Sequence, residues 1–197
     1  MSTPKRILVP LADGFEEIEA IAIIDTLRRA GLEVVTAALK GGSSPLVVHG
    51  AHGVQVVADA ELGKLDGKSF HMLVLPGGMP GTKHLSEDPR VIALVRSMHA
   101  AGKHVAAICA APTVLAQAGI LKGLPATCYP GFQDQLGGAR SEPDQRVVRA
   151  GKVLTSQGPG TAIEFALEIV RELLGAARAA ELESAMIVRT PAAPARA

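Results

Sequence analysis

Short apolar runs of strand length alternate along the chain with segments whose apolar residues recur at helical spacing. This alternation is typical of a parallel sheet covered by helices on both faces. We therefore predict an α/β fold with a doubly wound, mostly parallel sheet. The predicted strands are 7–11, 32–38, 72–75, the run that leads to Cys109, 126–129, 146–149 and 152–155, and the predicted helices are 16–30, 89–101, 162–174 and 176–185.

A glycine-containing segment interrupts the alternation after the second strand. Residues 45–48 and 54–58 flank the sequence His-Gly-Ala-His-Gly and predict a small inserted β-hairpin. The length of 197 residues suits a single domain. We assign 1–188 to that domain and the Pro/Ala-rich segment 189–197 to a flexible tail.

Composition and charge narrow the functional classes. Twenty Lys and Arg against nineteen Asp and Glu, with 3% aromatic residues and no basic run, give no sign of a nucleic-acid partner. The apolar runs are too short for a membrane span or a signal peptide. Two cysteines cannot form a disulfide framework, and they fit a reducing cytoplasm. The six histidines lack the spacing of metal ligands, so we expect no metal site. From the short apolar runs we expect no membrane partner.

The run 103–119 is an apolar strand that turns directly into a helix, with Cys109 at the bend. Ala107 and Ala111, two positions to either side, are small, as in a nucleophile elbow. Pro112 suits the first turn of the following helix. The amides of a helix N-terminus favour thiolate over thiol, which predicts a lowered pKa for Cys109 and a nucleophilic role. The alternative is a buried, inert cysteine that fills the core.

Four loops meet at the carboxyl edge of the predicted sheet, where ligands bind in this class of fold. They are 13–19, 76–78, 109–110 and 158–160. The amides of Gly78 and Ala110, next to Cys109, would form an anion hole beside the sulfur if they point into the same space. We also count Gly77 among the candidate oxyanion and substrate-binding residues. The alternative for Gly77 and Gly78 is a simple tight turn.

Glu19 differs from the two other acidic residues at the start of the first predicted helix. Its neighbours at helical spacing, Phe15, Ala22 and Ile23, face the core, so burial should raise the pKa of its carboxyl group. Such a carboxyl beside a thiolate is a candidate general acid and base. A structural role is the alternative, and for Glu16 and Glu17 we expect only favourable charge at a helix N-terminus.

Four segments, in this order, resemble the DJ-1 family of the DJ-1/PfpI/ThiJ superfamily: 6–19 (RILVPLADGFEEIE), 74–78 (VLPGG), 106–112 (AAICAAP) and 154–161 (LTSQGPGT). The resemblance implies a flavodoxin-like homodimer. It also implies that Cys109 is the reactive cysteine, that Glu19 is its partner, and that Gly78 and Ala110 supply the oxyanion amides. A sulfinate formed on Cys109 would accept a hydrogen bond from Glu19.

Two positions depart from the family pattern. Tyr129 stands where many relatives carry a histidine, so proton transfer would fall on Glu19 and Tyr129 would at most position the substrate. His52 stands where relatives carry an arginine that reaches the neighbouring subunit's site, and histidine is mostly neutral at pH 7. Cys128 lies next to Tyr129, and we interpret it as core filler, although an approach to Cys109 is the alternative.

The resemblance implies three kinds of activity. The first is a cofactor-independent, glutathione-independent glyoxalase that converts methylglyoxal or glyoxal into a hydroxy acid, and the second is a deglycase that acts on glycated substrates. The third is a non-catalytic sensor of oxidative stress, or a chaperone, that uses the same oxidisable cysteine. A peptidase or amidase is disfavoured because Ala110, not histidine, follows the cysteine. The broadly apolar first helix also predicts a homodimer, with His52 near the partner's Cys109.

Overall fold

The computed structural model describes residues 4–39 and 46–188, in which strands and helices alternate. The strands are β1 (Arg6–Leu11), β2 (Glu33–Ala38), β3 (Val47–His49), β4 (Gln55–Val57), β5 (Ala60–Glu61), β6 (Met72–Leu75), β7 (His104–Ile108), β8 (Pro125–Ala126), β9 (Arg140–Ser141), β10 (Val147–Ala150) and β11 (Val153–Ser156). The helices are α1 (Glu17–Arg29), α2 (Gly81–Glu87), α3 (Pro89–Ala100), α4 (Pro112–Gln117), α5 (Ala162–Leu174) and α6 (Ala176–Ala185).

Seven strands form the central sheet in the order β10-β11-β7-β6-β1-β2-β5. Every neighbouring pair is parallel except β10 and β11, which are antiparallel. One face of the sheet packs against α1 and α5 through residues such as Ile23 and Phe165. The other packs against α3 and α4 through residues such as Val95 and Leu115. The doubly wound, mostly parallel fold predicted from the sequence is therefore confirmed.

The inserted hairpin is also present, as the antiparallel pair of β3 and β4. Its predicted first residue, Pro45, lies outside the described residues, as does the predicted tail 189–197. No helix in the described ranges is long and apolar enough to cross a membrane.

The predicted strand 126–129 is wrong over most of its length, since β8 ends at Ala126. The backbone leaves the strand because the next amides find other partners. The Thr127 N–H donates to Thr155 Oγ1 at 2.9 Å, and the Tyr129 N–H donates to the Cys109 carbonyl at 2.8 Å. This departure brings Tyr129 to the cysteine turn. The seven-residue helix α2 was not predicted, and it begins at a glycine without a side-chain cap.

Candidate active site

Cys109 lies at the turn between β7 and α4 and has a φ of 64°, in the left-handed region. A non-glycine residue in this conformation costs about 1–3 kcal/mol, and it persists only where its surroundings hold it there. Two hydrogen bonds do so, because the Cys109 N–H donates to the Ser156 carbonyl at 3.0 Å and the Cys109 carbonyl accepts from Tyr129. The residue is 9% exposed. The turn therefore presents a nearly buried sulfur at the carboxyl edge of the sheet.

Small residues allow this turn to close. Ala107 and Ala111 are fully buried on either side of it. Gly77, at the end of β6, faces it so closely that an added β-carbon would lie 2.6 Å from Cys109 Cβ and 2.8 Å from Glu19 Oε2. Contacts below about 3.0 Å are not tolerated in packed interiors. Glycine at position 77 therefore leaves the space in which cysteine and glutamate meet.

Glu19 reaches this space from the first turns of α1 and is fully buried. Its Oε2 accepts a hydrogen bond of 2.8 Å from the Gly77 N–H. Its Oε1 is buried and has no hydrogen-bond partner among the described residues. Burial raises the pKa of the Glu19 carboxyl to about 7, against the opposing effects of the Gly77 amide and the Cys109 thiol. The raised pKa predicted from the helical spacing is confirmed.

The thiol of Cys109 shows the opposite of the predicted shift. Burial raises its pKa to about 12, and the charge of Glu19 and the hydrogen bond with it act in the same direction. The amides of Gly78 and Ala110 do stabilise the thiolate, as the sequence suggested, but their effect is smaller. The prediction of a lowered pKa is wrong in this geometry because it counted the helix terminus and left out burial and the carboxylate.

The two groups titrate as a pair, because each alters the charge that the other faces. When Glu19 is ionised, a second negative charge on Cys109 is unfavourable. When Glu19 holds the proton, that charge is gone and its O–H can donate to sulfur. Thiolate and neutral carboxylic acid are therefore compatible, and the pair carries one negative charge over a wide range of pH.

The amides beside the sulfur differ in their availability. Those of Gly78 and Ala110 both lower the pKa of the Cys109 thiol, so both act on the charge of the sulfur. The Gly77 N–H donates to Glu19 instead, so it is not free to bind a substrate oxygen, contrary to our inclusion of Gly77 among the oxyanion residues. Gly78 and Ala110 therefore remain the two candidate donors of the anion hole suggested by the sequence.

Tyr129 lies at the exposed rim of the site. Its ring packs edge-to-face on Phe132, with centroids 6.5 Å apart, and lies beside Gly158 in the loop before α5. Cys128 next to it is buried in the core on the α3 side of the sheet, whereas Cys109 belongs to the core on the α1 side. Burial raises the pKa of the Cys128 thiol to about 11.

Glu17 has a role that the sequence analysis missed. Its Oε1 accepts from the His52 N–H at 2.6 Å and from the Val54 N–H at 3.3 Å, and its Oε2 lies 2.9 Å from His52 Nδ1. It therefore fastens the hairpin loop to the start of α1. The partners are 35 and 37 residues apart, so helical spacing alone could not reveal them. These hydrogen bonds lower the pKa of the Glu17 carboxyl, although burial alone would raise it.

His52 is exposed and lies between two carboxylates, with Nδ1 3.4 Å from Glu16 Oε2 as well as 2.9 Å from Glu17. The hydrogen bond with Glu17 and the charge of Glu16 raise the pKa of His52. The three side chains place potential metal-ligand atoms within 4.8 Å of one another, a grouping that the histidine spacing did not predict. His52 Nδ1 already bonds to Glu17 and lies near Glu16, so the three side chains form a network of ion pairs.

The chain is similar to known proteins over most of its length. The profile of the DJ-1/PfpI family matches residues 5–172. Protein dj-1beta of Drosophila melanogaster is 43% identical over 185 residues, which cover 93% of this chain and 97% of that protein. Its crystal structure gives a TM-score of 0.90 at 41% identity and covers 95% of this chain and 100% of the other.

The names of two further relatives mention an enzymatic activity and an oxidized state. The glutathione-independent glyoxalase DJR-1.2 of Caenorhabditis elegans is 41% identical over 170 residues, which cover 86% of this chain and 88% of that protein. The structure of oxidized DJ-1 from Toxoplasma gondii gives a TM-score of 0.87 at 39% identity and covers 93% of this chain and 98% of that one. With a family profile that spans most of its length and relatives of this similarity, the chain belongs to the DJ-1/PfpI family.

Proposed function

We propose that this protein is a glutathione-independent glyoxalase that converts a small α-oxoaldehyde, such as methylglyoxal or glyoxal, into a hydroxy acid. The observation that carries the proposal is the meeting of Glu19 and the Gly78 and Ala110 amides at the sulfur of Cys109. The name of the C. elegans relative supports the same reaction.

In the first step, the Cys109 thiolate adds to the aldehyde carbon of the substrate, and the proton held by Glu19 passes to the new alkoxide. The amides of Gly78 and Ala110 hold the negative charge that develops on this oxygen. The product is a hemithioacetal, with Glu19 now ionised next to it. Its raised pKa suits it to both halves of this exchange.

In the second step, Glu19 removes the proton from the former aldehyde carbon and delivers it to the neighbouring carbon through an enediol. The first carbon is oxidised and the second reduced, so no external oxidant or cofactor is required. The resulting thioester reacts with water, which releases the hydroxy acid and restores the thiol. The space between Cys109 and Glu19 does not admit even one added β-carbon at Gly77, and this favours a substrate with a small carbon skeleton.

The direct test is incubation of the purified protein with methylglyoxal in the absence of glutathione, with loss of the aldehyde and formation of lactate both measured. We expect turnover by the wild type and none by Cys109→Ser, while Cys128→Ser keeps the wild-type rate. Equal rates in wild type and Cys109→Ser would remove the thiol from the reaction.

Release of the same carbonyl fragment from a glycated amine would make the protein a deglycase as well. The chemistry is related, because the adduct also presents an electrophilic carbon to Cys109. The test compares two initial rates, that of amine recovery from a purified adduct and that of free methylglyoxal consumption. The rate at which the adduct dissociates without protein is the reference. Direct deglycation requires amine recovery with the protein to be faster than this spontaneous dissociation.

A redox role is the second candidate. It is favoured by the contact of the Glu19 carboxyl group with Cys109, together with the lack of a hydrogen-bond partner for Glu19 Oε1 among the described residues. Oxidation to a sulfinate would place oxygen atoms where a protonated Oε1 can donate to them. The oxidized T. gondii relative is consistent with this chemistry. Substrate turnover in the reduced protein, lost on oxidation, would favour the enzyme. A change in partner or chaperone binding on oxidation, without turnover, would favour the sensor.

We also propose that two copies form a homodimer through α1 and the hairpin. Ile18 and Ile21 on α1 are 60% and 44% exposed, and Val54 and Val57 on the hairpin are 52% and 69% exposed. Exposed apolar groups of this kind mark an interaction surface. In the dimer, His52 would lie near Cys109 of the partner subunit. Light scattering at micromolar concentration should give a mass of two chains for the wild type. The Ile18→Glu variant should give the mass of one chain.

The two free cysteines fit a cytoplasmic location for this chemistry. Fractionation of cells that produce the protein, with activity followed in each fraction, tests that assignment.

A further inference from the structure

A groove of about 410 Å³ lies at the amino ends of the parallel strands, on the edge of the sheet opposite Cys109. In sheet order, the residues directly before β11, β7, β6 and β1 are Lys152, Lys103, His71 and Lys5. Neighbouring strands lie about 4.8 Å apart. Four adjacent strands therefore present a continuous row of basic side chains.

Lys68 adds a fourth lysine to this row, from a single turn of 3₁₀-helix at Gly67–Ser69 before β6. The apolar part of the groove comes from Phe70 and Leu173, which are buried. No aspartate or glutamate occurs among the described residues that line the groove. Four lysines thus converge on one concave surface without a carboxylate in its wall.

Two of the lysines have a structural role. Lys5 Nζ donates to the Leu173 carbonyl at 2.6 Å, in the last turn of α5, and Lys103 Nζ donates to the Lys68 carbonyl at 2.6 Å. Lysine is favourable at helix C-termini for this reason. These acceptors are neutral, however, and they leave the charge of each ammonium group uncompensated.

Helix capping does not explain the other two lysines. In residues 4–39 and 46–188, the ammonium groups of Lys68 and Lys152 make no hydrogen bond or ion pair. Carboxylates of the neighbouring segments are engaged with other groups. Asp66 Oδ1 accepts a hydrogen bond of 2.9 Å from the backbone N–H of Lys68, not from its ammonium group. Glu172 bonds to His104 at 2.9 Å and to Arg149 at 2.7 Å, and Glu33 bonds to Arg6 at 2.8 Å.

His71 adds a directed donor to the groove. Its Nδ1 accepts a hydrogen bond of 3.0 Å from the Arg6 N–H. The neutral ring must therefore carry its proton on Nε2. The backbone thus fixes the tautomer in which the outer nitrogen donates.

We propose that this groove is a binding site for a small anion that carries two or more phosphate groups. Several ammonium groups held together repel one another, and a compact polyanion removes that repulsion while it accepts their hydrogen bonds. The volume is within the range of small-molecule sites, about 300–1,000 Å³. The site is separate from the cysteine, so it does not depend on the proposed reaction.

Isothermal titration with tripolyphosphate at constant ionic strength tests the proposal. Wild type should bind saturably, and the double variant Lys68→Ala/Lys152→Ala should bind about tenfold more weakly. The control is Lys64→Ala/Lys122→Ala, which removes the same charge outside the groove and should keep the wild-type affinity. Absence of saturable binding, or equal weakening in both variants, would overturn the proposal.

A second measurement locates the anion. Saturating tripolyphosphate should leave the alkylation rate of Cys109 unchanged, because the two sites are at opposite edges of the sheet. Protection of Cys109 would place the anion at the Gly78 and Ala110 amides and would also overturn the proposal.

Discussion

Glu19 and Cys109 approach each other across Gly77, in a space too small for one β-carbon. Their contact therefore depends on three separate segments, α1, the end of β6 and the turn after β7. The Gly77 N–H also donates to the carboxyl group of Glu19. Gly77 thus provides both the space and the hydrogen bond that position the Glu19 carboxyl group next to the Cys109 sulfur.

Gly77→Ala should damage the site and the fold together. The added methyl group would force Cys109 or Glu19 to move, and strain of this kind costs about 1–3 kcal/mol. Denaturant unfolding should show the loss of stability, and iodoacetamide should show an altered alkylation rate at Cys109. Gly160→Ala is the matched control, since a β-carbon there would meet open space. Wild-type behaviour of Gly77→Ala would show that the contact is looser than described.

Alkylation of Cys109 should rise with pH in two steps in the wild type. The first step, near pH 7, forms the singly charged pair, of which a part is thiolate beside neutral Glu19. The second, towards pH 12, removes the remaining proton. Glu19→Gln should give one step, because a single titrating group remains. A single wild-type step near the free-thiol value of about 8.5 would contradict the coupling.

The stability of the fold should fall as pH rises from 4.5 to about 7 because of Glu19. Its pKa is raised from 4.5 in the folded state, so over this range the folded chain holds a proton that the unfolded chain has lost. The complete effect is about 3 kcal/mol. Unfolding by urea at pH 4.5 and pH 7.5 measures it. Glu19→Gln should lack this component, and an identical pH dependence in both proteins would refute it.

The local patterns of the sequence predicted the position of both central residues. Small neighbours and Pro112 identified the turn at Cys109, and the apolar neighbours of Glu19 placed its carboxyl in the core. These inferences succeed because they concern residues close in sequence. The direction of the thiol pKa was not predictable in the same way, since it is the sum of burial, a carboxylate 90 residues away and two amides.

Interactions between distant segments account for the other misses. Glu17 was interpreted as simple charge at a helix N-terminus, yet it holds His52 across 35 residues. The segment after Ala126 has strand-like composition, but its amides bond to Thr155 and Cys109 instead of a neighbouring strand. Hydrogen-bond partners so distant in sequence can be identified only when the three-dimensional arrangement of the segments is known.

Mild peroxide should stop the oxidation of Cys109 at the sulfinate. A neutral Glu19 can donate its free Oε1–H to a sulfinate oxygen and limit further attack. Intact-protein mass spectrometry should therefore show a gain of two oxygen atoms in the wild type. Glu19→Ala should pass on to the sulfonate, with Glu16→Ala as the matched control. Equal amounts of stable sulfinate in Glu19→Ala and wild type would exclude the pairing.

His52 should make activity towards an anionic α-oxoaldehyde fall as pH rises, because the imidazolium is lost. The neighbouring Glu17 and Glu16 raise its pKa, so the fall should lie above the ordinary histidine value of about 6.5. Turnover measured between pH 5.5 and 9 gives the midpoint. Glu17→Gln should move the midpoint to lower pH, since it removes the hydrogen-bonded charge, and His52→Arg should flatten the fall because arginine stays protonated.

The comparison of these variants separates charge from structure. Loss of Glu17 also loosens the hairpin, which would lower activity at every pH without moving the midpoint, whereas loss of its charge moves the midpoint. His52→Ala should abolish the pH-dependent fall altogether. If His52→Ala keeps the wild-type profile, another group is responsible, and the placement of His52 beside the partner's Cys109 loses its support.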